Sequence, residues 1–397
     1  MKYKIAQISD CHLGYASGKK RIQGINKREI DGYNAYFEAI DCIIENKPDI
    51  ALITGDLFHT PKPSMYCILQ AQIGLRKLAE NDIPVYILAG NHDSTDILSE
   101  VPSSKVVDEP NNNIFSYTEP YIVKEVKPGL YIHFVSHHGY IEQQKTMKEV
   151  SPVDNAFNIL ATHGSVYDSV HNMVLKSEQE PREIIIPEEI LQKKWDYTLL
   201  GHIHTRGWVY SETNGMTDTA NKKVFYGGSL IRRGFSDKEC PLDRGVTLWS
   251  IDTEEKTMTP EFFNVWQRPQ YDKVIEAKNK NVAEIEDEIY DLISVEKYVE
   301  TEPIMRITIN NLSNDKRLAI NWKKFLVYQN NFLTFSFKIK EEKEDVSLKE
   351  KAKGKNFSSN IYEDFKAFYE DKDPKILNKI LKVSMLSLPC LLYTSDA

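Results

Sequence analysis

Aspartate, asparagine and histidine occur in this chain in five short clusters that could do chemistry together. These are "SDCHLG" (Asp10, His12), "TGDLFH" (Asp56, His59), "AGNHDS" (Asn91, His92, Asp93), "ATHGS" (His163) and "LGHIHTR" (His202, His204). Carboxylate, amide oxygen and imidazole together suit manganese, iron or zinc. Asp10-x-His12 and His202-x-His204 each put two side chains on one face of an extended segment. Cys11 and Ile203 then point the other way, so Cys11 is expected to pack and not to bind. So many ligands with two carboxylates fit two metals sharing a bridging aspartate. Metals about 3.5–4 Å apart can clamp a phosphodiester and activate water. A single GD or GNH reads equally well as a turn. The joint occurrence, in order, is what argues for a site. Histidine usage agrees: all ten lie between His12 and His204, and the following 193 residues have none.

Each cluster closes a β run: "YKIAQIS", "DIALITGD", "IPVYILAGNHD", "FNILATHG" and "DYTLLGHIH". Helical spacing of Ile30, Tyr33, Phe37, Ile40 and Ile44 predicts a helix between the first two, and residues 64–80 predict another. "IALIT" and "VYILA" are apolar without alternation, which predicts strands buried on both faces. The expected fold is α/β, a layered αββα sandwich, with the clusters gathered at the carboxyl ends of its strands. Gly55, Gly90 and Gly201 precede three of the clusters, where a sharp turn beside an ion needs a small residue. "LYIHFVSHH" adds His137 and His138, which could line the site or simply be satisfied elsewhere; His171 is equally open.

The remaining chain reads as separate pieces. The site-bearing domain spans 1–265, a small α+β module 266–338, a charged linker 339–358 and a helical piece 359–389. The last eight residues, "CLLYTSDA", match the translation of a transposon-end adapter. They are set aside as a non-native tail, 390–397, and the natural C-terminus is expected to be missing. Hydrophobic residues are 41% and charged residues 27%, as in an ordinary soluble protein. No apolar run approaches the ~18 residues of a membrane span. Five unpaired cysteines predict a reducing, cytoplasmic setting without disulfides. The net charge of −8 argues weakly against a basic nucleic-acid surface, although bound cations would add positive charge at the carboxylates.

D-x-H, GD, GNHD, a lone H and GHxH resemble the motifs of calcineurin-like metallophosphoesterases. More closely, with "REIDGYNAYFEAIDCIIENKPDIALITGDLFHTPKPS" and "YGGSLIRRGFSD", the chain resembles the SbcD family of DNA repair nucleases and its Mre relatives. The resemblance covers about residues 1–265 well and the later modules loosely. It implies the four-layer metallophosphoesterase sandwich, a capping, DNA-binding role for 266–338, and an arm at 359–389 that docks on the coiled coil of an SbcC-like ATPase. It implies two divalent metals, Mn²⁺ foremost. Asp10, His12, Asp56 and His204 would hold one, and Asp56, Asn91, His163 and His202 the other. His92 would stand beside the phosphate as a non-ligand acid, with Asp93 orienting it or supporting its loop. His59 departs from the family, which usually carries Asp there, and a change in metal preference is expected. A homodimer is also implied, and the surplus apolar residues Tyr66, Ile68, Leu69, Ile73 and Leu75 mark the second helix as its candidate surface. The expected activity is two-metal hydrolysis of DNA; a phosphoesterase acting on nucleotides or other small esters is the alternative.

Overall fold

Successive residues of the apolar runs go to different cores. In the strand Ile50–Thr54, Ile50 and Leu52 pack into one core while Ala51 and Ile53 pack into another, and all five residues are buried. A strand that is apolar on both faces must lie between two layers. In the computed structural model, residues 1–142, 146, 148–168, 173–174, 184–209, 223–235 and 243–341 are described. The linker beyond Glu341, the helical arm, the terminal tail and His171 lie outside the described residues.

The elements that build the site are, in chain order, β1 (Lys2–Ile8), α1 (Lys27–Asn46), β2 (Ile50–Thr54), α2 (Met65–Ala79), β3 (Val85–Leu88), β4 (Ile114–Tyr117), β5 (Ile122–Lys127), β6 (Leu130–Val135), α3 (His137–Ile141), β7 (Phe157–His163), β8 (Tyr197–Gly201), β9 (Gly207–Trp208), β10 (Val224–Tyr226), β11 (Gly245–Asp252) and β12 (Thr257–Asn264). One six-stranded sheet runs β12-β11-β1-β2-β3-β4, and the other β9-β10-β8-β7-β6-β5. The inner strands are parallel in both: β1 through β4 in the first, and β10, β8, β7 and β6 in the second. Ile5, Leu52, Leu88, Phe134, Ile159, Leu199, Phe225 and Trp249 meet in the core between the sheets. Ala6, Ile8, Ala51 and Ile53 face the other way, into a core with Tyr36, Ile40, Leu75 and Leu78 of α1 and α2. The layered sandwich of the sequence reading is the fold observed.

Side-chain caps set the helix starts. The Asn26 side chain accepts from Arg28 N at the head of α1, and Ser64 Oγ accepts from Cys67 N at the head of α2. Parallel order brings the carboxyl ends of β1, β2, β3, β7 and β8 to one edge, where the five clusters lie.

The later residues add β13 (Gln270–Glu276), α4 (Val282–Ile293), β14 (Ile304–Leu312) and β15 (Thr334–Glu341), with a three-stranded sheet β13-β14-β15. A capping box between Asn281 and Glu284 starts α4. Ile285, Ile289 and Ile293 then pack on Ile275, Ile307 and Ile309 in a core of their own. The sheet continues to Glu341, past the expected linker start at 339. Met1–Lys340 nevertheless form one compact unit. Arg268 joins the parts: Nε and Nη2 donate to Asp31 of α1 at 2.6 and 2.7 Å, and Nη1 donates to the Thr301 and Glu302 carbonyls at 2.9 and 3.0 Å. Among the described residues no helix is long and apolar enough to cross a membrane.

Candidate metal centre

Asp10, His12, Asp56, Asn91, His163, His202 and His204 are all buried at the shared sheet edge, and the loops that carry them are tied together through the backbone. Asp10 N donates to Gly55 O at 3.1 Å, His12 N to Asp56 O at 3.0 Å, and Ser229 N to His204 O at 3.1 Å. Four of the seven have left-handed backbone: Asp10 at φ 48°, His12 at 44°, Asp56 at 53° and His202 at 96°. Such angles are uncommon outside glycine and persist where the surroundings over-determine them. The strand ends turn sharply here, which points each side chain into the shared space. Close approach has a second requirement at Gly90, where a Cβ would come within 2.2 Å of Asp56 Oδ1.

The donor atoms converge in two groups. In the first, His12 Nε2 lies 3.1 Å from His204 Nε2, and Asp10 Oδ1 lies 3.9 Å from His204 Nε2. In the second, His163 Nε2 lies 3.0 Å and His202 Nδ1 3.2 Å from Asn91 Oδ1. Asp56 Oδ2 reaches both, 3.2 Å from His163 Nε2 and 3.8 Å from His12 Nε2. Asp10 Oδ1 is also 3.9 Å from His163 Nε2, so both carboxylates lie near the second group.

These groups could hold a divalent cation. His163 Nδ1 sits 2.9 Å from the Thr54 carbonyl and must donate to it, so Nε2 of the neutral ring is a lone pair. That lone pair faces the Asn91 amide oxygen and the Asp56 carboxylate, three acceptors with no proton among them. A cation or an added proton satisfies such a set. Burial opposes the charge, but Asp56 and Asp10 hold His163 up to about 10. Burial likewise opposes ionisation of Asp56, and His163 and His92 still hold its carboxyl well below the usual range. Asp56 Oδ2 has no well-directed donor among the described residues. Two ligands cis on an octahedral ion with bonds of about 2.1 Å stand about 3.0 Å apart, close to the four shorter spacings above, whereas three others are 3.8–3.9 Å.

His92 sits at the rim of this group. Its Nδ1 donates to the His59 carbonyl at 2.7 Å, so the proton it could deliver rides on Nε2. Its backbone N–H donates to Asp56 Oδ1 at 2.8 Å, which turns Oδ2 toward the centre. His59 stacks on His92 with ring centroids 5.1 Å apart, and its Nδ1 lies 3.5 Å from His12 Nδ1. His12, His59 and His92 thereby form a third cluster of metal-competent side chains, beyond the two groups that the resemblance implies. Asp93 accepts from the backbone N–H groups of Phe58 at 2.9 Å, Gly90 at 3.0 Å and Leu57 at 3.3 Å. Its carboxylate therefore supports the loops, and its bonds run to backbone and not to the His92 ring. Burial and the Asp56 charge push Asp93 up to about 7 against those donors.

His137 and His138 hold the neighbouring loop. His137 Nε2 lies 3.2 Å from Asp96 Oδ1, and His138 Nε2 3.1 Å from the Thr95 carbonyl. His133 is a satisfied core histidine between Tyr121 and Asn158. Three arginines escaped the sequence reading. Arg244 donates to the His204 carbonyl, Arg28 donates to the Arg232 carbonyl, and Arg233 enters the centre itself, with Nη1 2.7 Å from His12 Nε2. For Arg233 the signal available was the "LIRRGF" run after a β segment, which serves in the sequence reading only as a mark of resemblance.

Residues 3–206 match the family model described as calcineurin-like phosphoesterase. The chain belongs to that family. Calcineurin-like phosphoesterases hydrolyse phosphoesters with divalent metals, which agrees with the donor set described above. Three relatives extend the likeness beyond the matched residues, each a DNA double-strand break repair protein Mre11. That of Saccharolobus solfataricus is 27% identical over 326 residues, covering 77% of this chain and 74% of the relative. That of Sulfurisphaera tokodaii is 28% identical over 347 residues, 84% and 79%. That of Sulfolobus acidocaldarius is 24% identical over 395 residues, 95% and 94%. The resemblance drawn from the motifs is borne out by the family match and by these relatives.

Proposed function

We propose that this calcineurin-like phosphoesterase is a DNA nuclease of the double-strand break repair type, working by a two-metal mechanism with an SbcC-like ATPase. One observation carries the reading: two donor groups joined by Asp56, in a chain similar over most of its length to DNA double-strand break repair proteins. Asp10, His12, Asp56 and His204 would hold one divalent ion; Asp56, Asn91, His163 and His202 would hold the other. The nitrogen and oxygen donors suit Mn²⁺. When bound, such ions supply Lewis acidity toward the phosphoryl oxygens and activate water.

The chain's own residues do the rest. The His92 N–H fixes Asp56 in its bridging orientation. His92 Nε2 is the atom that passes a proton to the leaving oxygen, with the ring held by the His59 carbonyl and by stacking on His59. Asp93 keeps the second and third loops in register. Residues 266–338 are assigned the capping, DNA-binding role, α2 the homodimer contact, and the segment 359–389 the contact with the ATPase coiled coil.

Linear duplex DNA and bis(p-nitrophenyl) phosphate, each with Mn²⁺, separate this reading from hydrolysis of small esters. Shortening of the duplex, abolished by chelator, is the expected result. Turnover of the small diester with intact DNA would overturn the nuclease assignment. Co-purification with the ATPase should be lost on truncation before Asn360, and its persistence would remove the arm from the proposal.

A further inference from the structure

The Arg233 guanidinium stands where the lone pairs of two candidate ligands meet. Its Nη1 is 2.7 Å from His12 Nε2 and 3.4 Å from His204 Nε2, while those two nitrogens are 3.1 Å apart. A divalent ion held by His12 and His204 needs the same lone pairs. The backbone that carries Arg233 is pinned on several sides. Leu230 N donates to the Asp10 carbonyl at 3.4 Å, Ser229 N to the His204 carbonyl at 3.1 Å, and Gln267 Nε2 to the Leu230 carbonyl at 2.8 Å. Arg28 donates to the Arg232 carbonyl. These bonds hold the loop's backbone, so an ion at His12 and His204 requires the side chain to move. The ring of Tyr15, 5.2 Å from the guanidinium carbon, gives it a face to swing along, and that ring in turn edges His59.

We propose that Arg233 is an anion ligand of this centre that exchanges with the divalent ion at His12 and His204, so that phosphate binding and metal binding promote one another. This rests on the phosphoesterase reading of the site. A guanidinium displaced from the imidazoles stays beside the ions and presents two parallel N–H donors, the geometry that suits a phosphodiester. An anion that draws Arg233 aside removes a competitor from His12 and His204, which raises metal affinity; by linkage, metal raises anion affinity by the same factor. The ligand class is a phosphodiester monoanion in contact with the His12–His204 side of the centre.

The test is calorimetric titration of Mn²⁺ into chelator-stripped protein, with and without dimethyl phosphate, an unreactive diester. In the wild type, dimethyl phosphate should tighten Mn²⁺ binding at one position by about tenfold, within the usual range of coupling between sites. Arg233→Gln should bind Mn²⁺ several-fold more tightly than the wild type without the diester, and gain clearly less than the wild type from adding it. Equal Mn²⁺ affinity in the two proteins, or the same gain in both, would overturn the proposal. Should circular dichroism show Arg233→Gln unfolded, Arg233→Lys carries the same titrations, with the gain expected to shrink as the paired donors are lost. Intact duplex DNA in a nuclease assay would remove the nuclease assignment while leaving these titrations, which use no DNA, fully readable.

Discussion

At the scale of the residue, Asp56 and His92 are joined by one backbone hydrogen bond and are separable by substitution. The His92 N–H requires an acceptor at Oδ1, so an Asp56→Asn side chain must place its oxygen there. Its NH₂ then replaces Oδ2 and aims donors at the cations. Asparagine tolerates the φ of 53°, so the backbone is spared. Metal analysis should find both ions depleted and hydrolysis lost; normal metal content would disprove the bridge. His92→Gln should keep both ions but lose roughly 10²–10⁴-fold in rate, as expected for a positioned acid. The residue types at the centre were legible because each cluster is contiguous in sequence and closes a strand. Conformation and distant partners were not. No local pattern shows that four candidate ligands take left-handed backbone, or that Arg233 arrives from a loop more than 200 residues after His12. Asp93 shows the limit from the other side: its type fits catalysis, and only its neighbours reveal three backbone donors.

At the scale of the element, α2 carries more apolar surface than its own core uses. Cys67, Ala71, Leu75 and Leu78 are buried. Met65 is 79% exposed and Leu69 48%, with Tyr66 and Ile73 beside them at similar exposure. A stripe of this kind on a helix at the surface fits an interface. Light scattering at micromolar concentration should find a dimer that Leu69→Asp converts to monomer without lowering Tm. A monomer in both proteins would remove the interface. The helix and its surplus were readable from the apolar spacing. Which residues are surplus was not, since Leu75 looks equivalent to Leu69 until the packing against α1 decides.

At the scale of the molecule, the small α+β module has its own core yet shares a compact unit with the sandwich. Arg268 explains how. It is 8% exposed, grips Asp31 of α1 with two donors, and holds two carbonyls of the module with a third. Arg268→Ala leaves the buried Asp31 with Arg28 as its remaining partner, a change of roughly 3 kcal/mol for breaking a buried pair. If the module caps DNA, the variant should lose activity on duplex DNA well before it loses activity on bis(p-nitrophenyl) phosphate. Parallel loss on both substrates would assign the contact to folding alone. A change of pattern near residue 265 is visible along the chain. The fastening across it is not, because Asp31 and Arg268 lie far apart in sequence.

The left-handed backbone at Asp10, His12, Asp56 and His202 narrows what can ever occupy those positions. Aspartate, asparagine and histidine are the non-glycine residues that tolerate this conformation best, and they also coordinate hard and borderline cations. A β-branched or bulky replacement there fails twice, once as a ligand and once as a link in the chain. Replacement at these positions is therefore easiest among Asp, Asn and His, since glycine suits the backbone but brings no ligand. Exchanges within that set at Asp10, His12 or His202, leaving Asp56 in place, are a practical route to a variant with altered metal choice and an unaltered backbone.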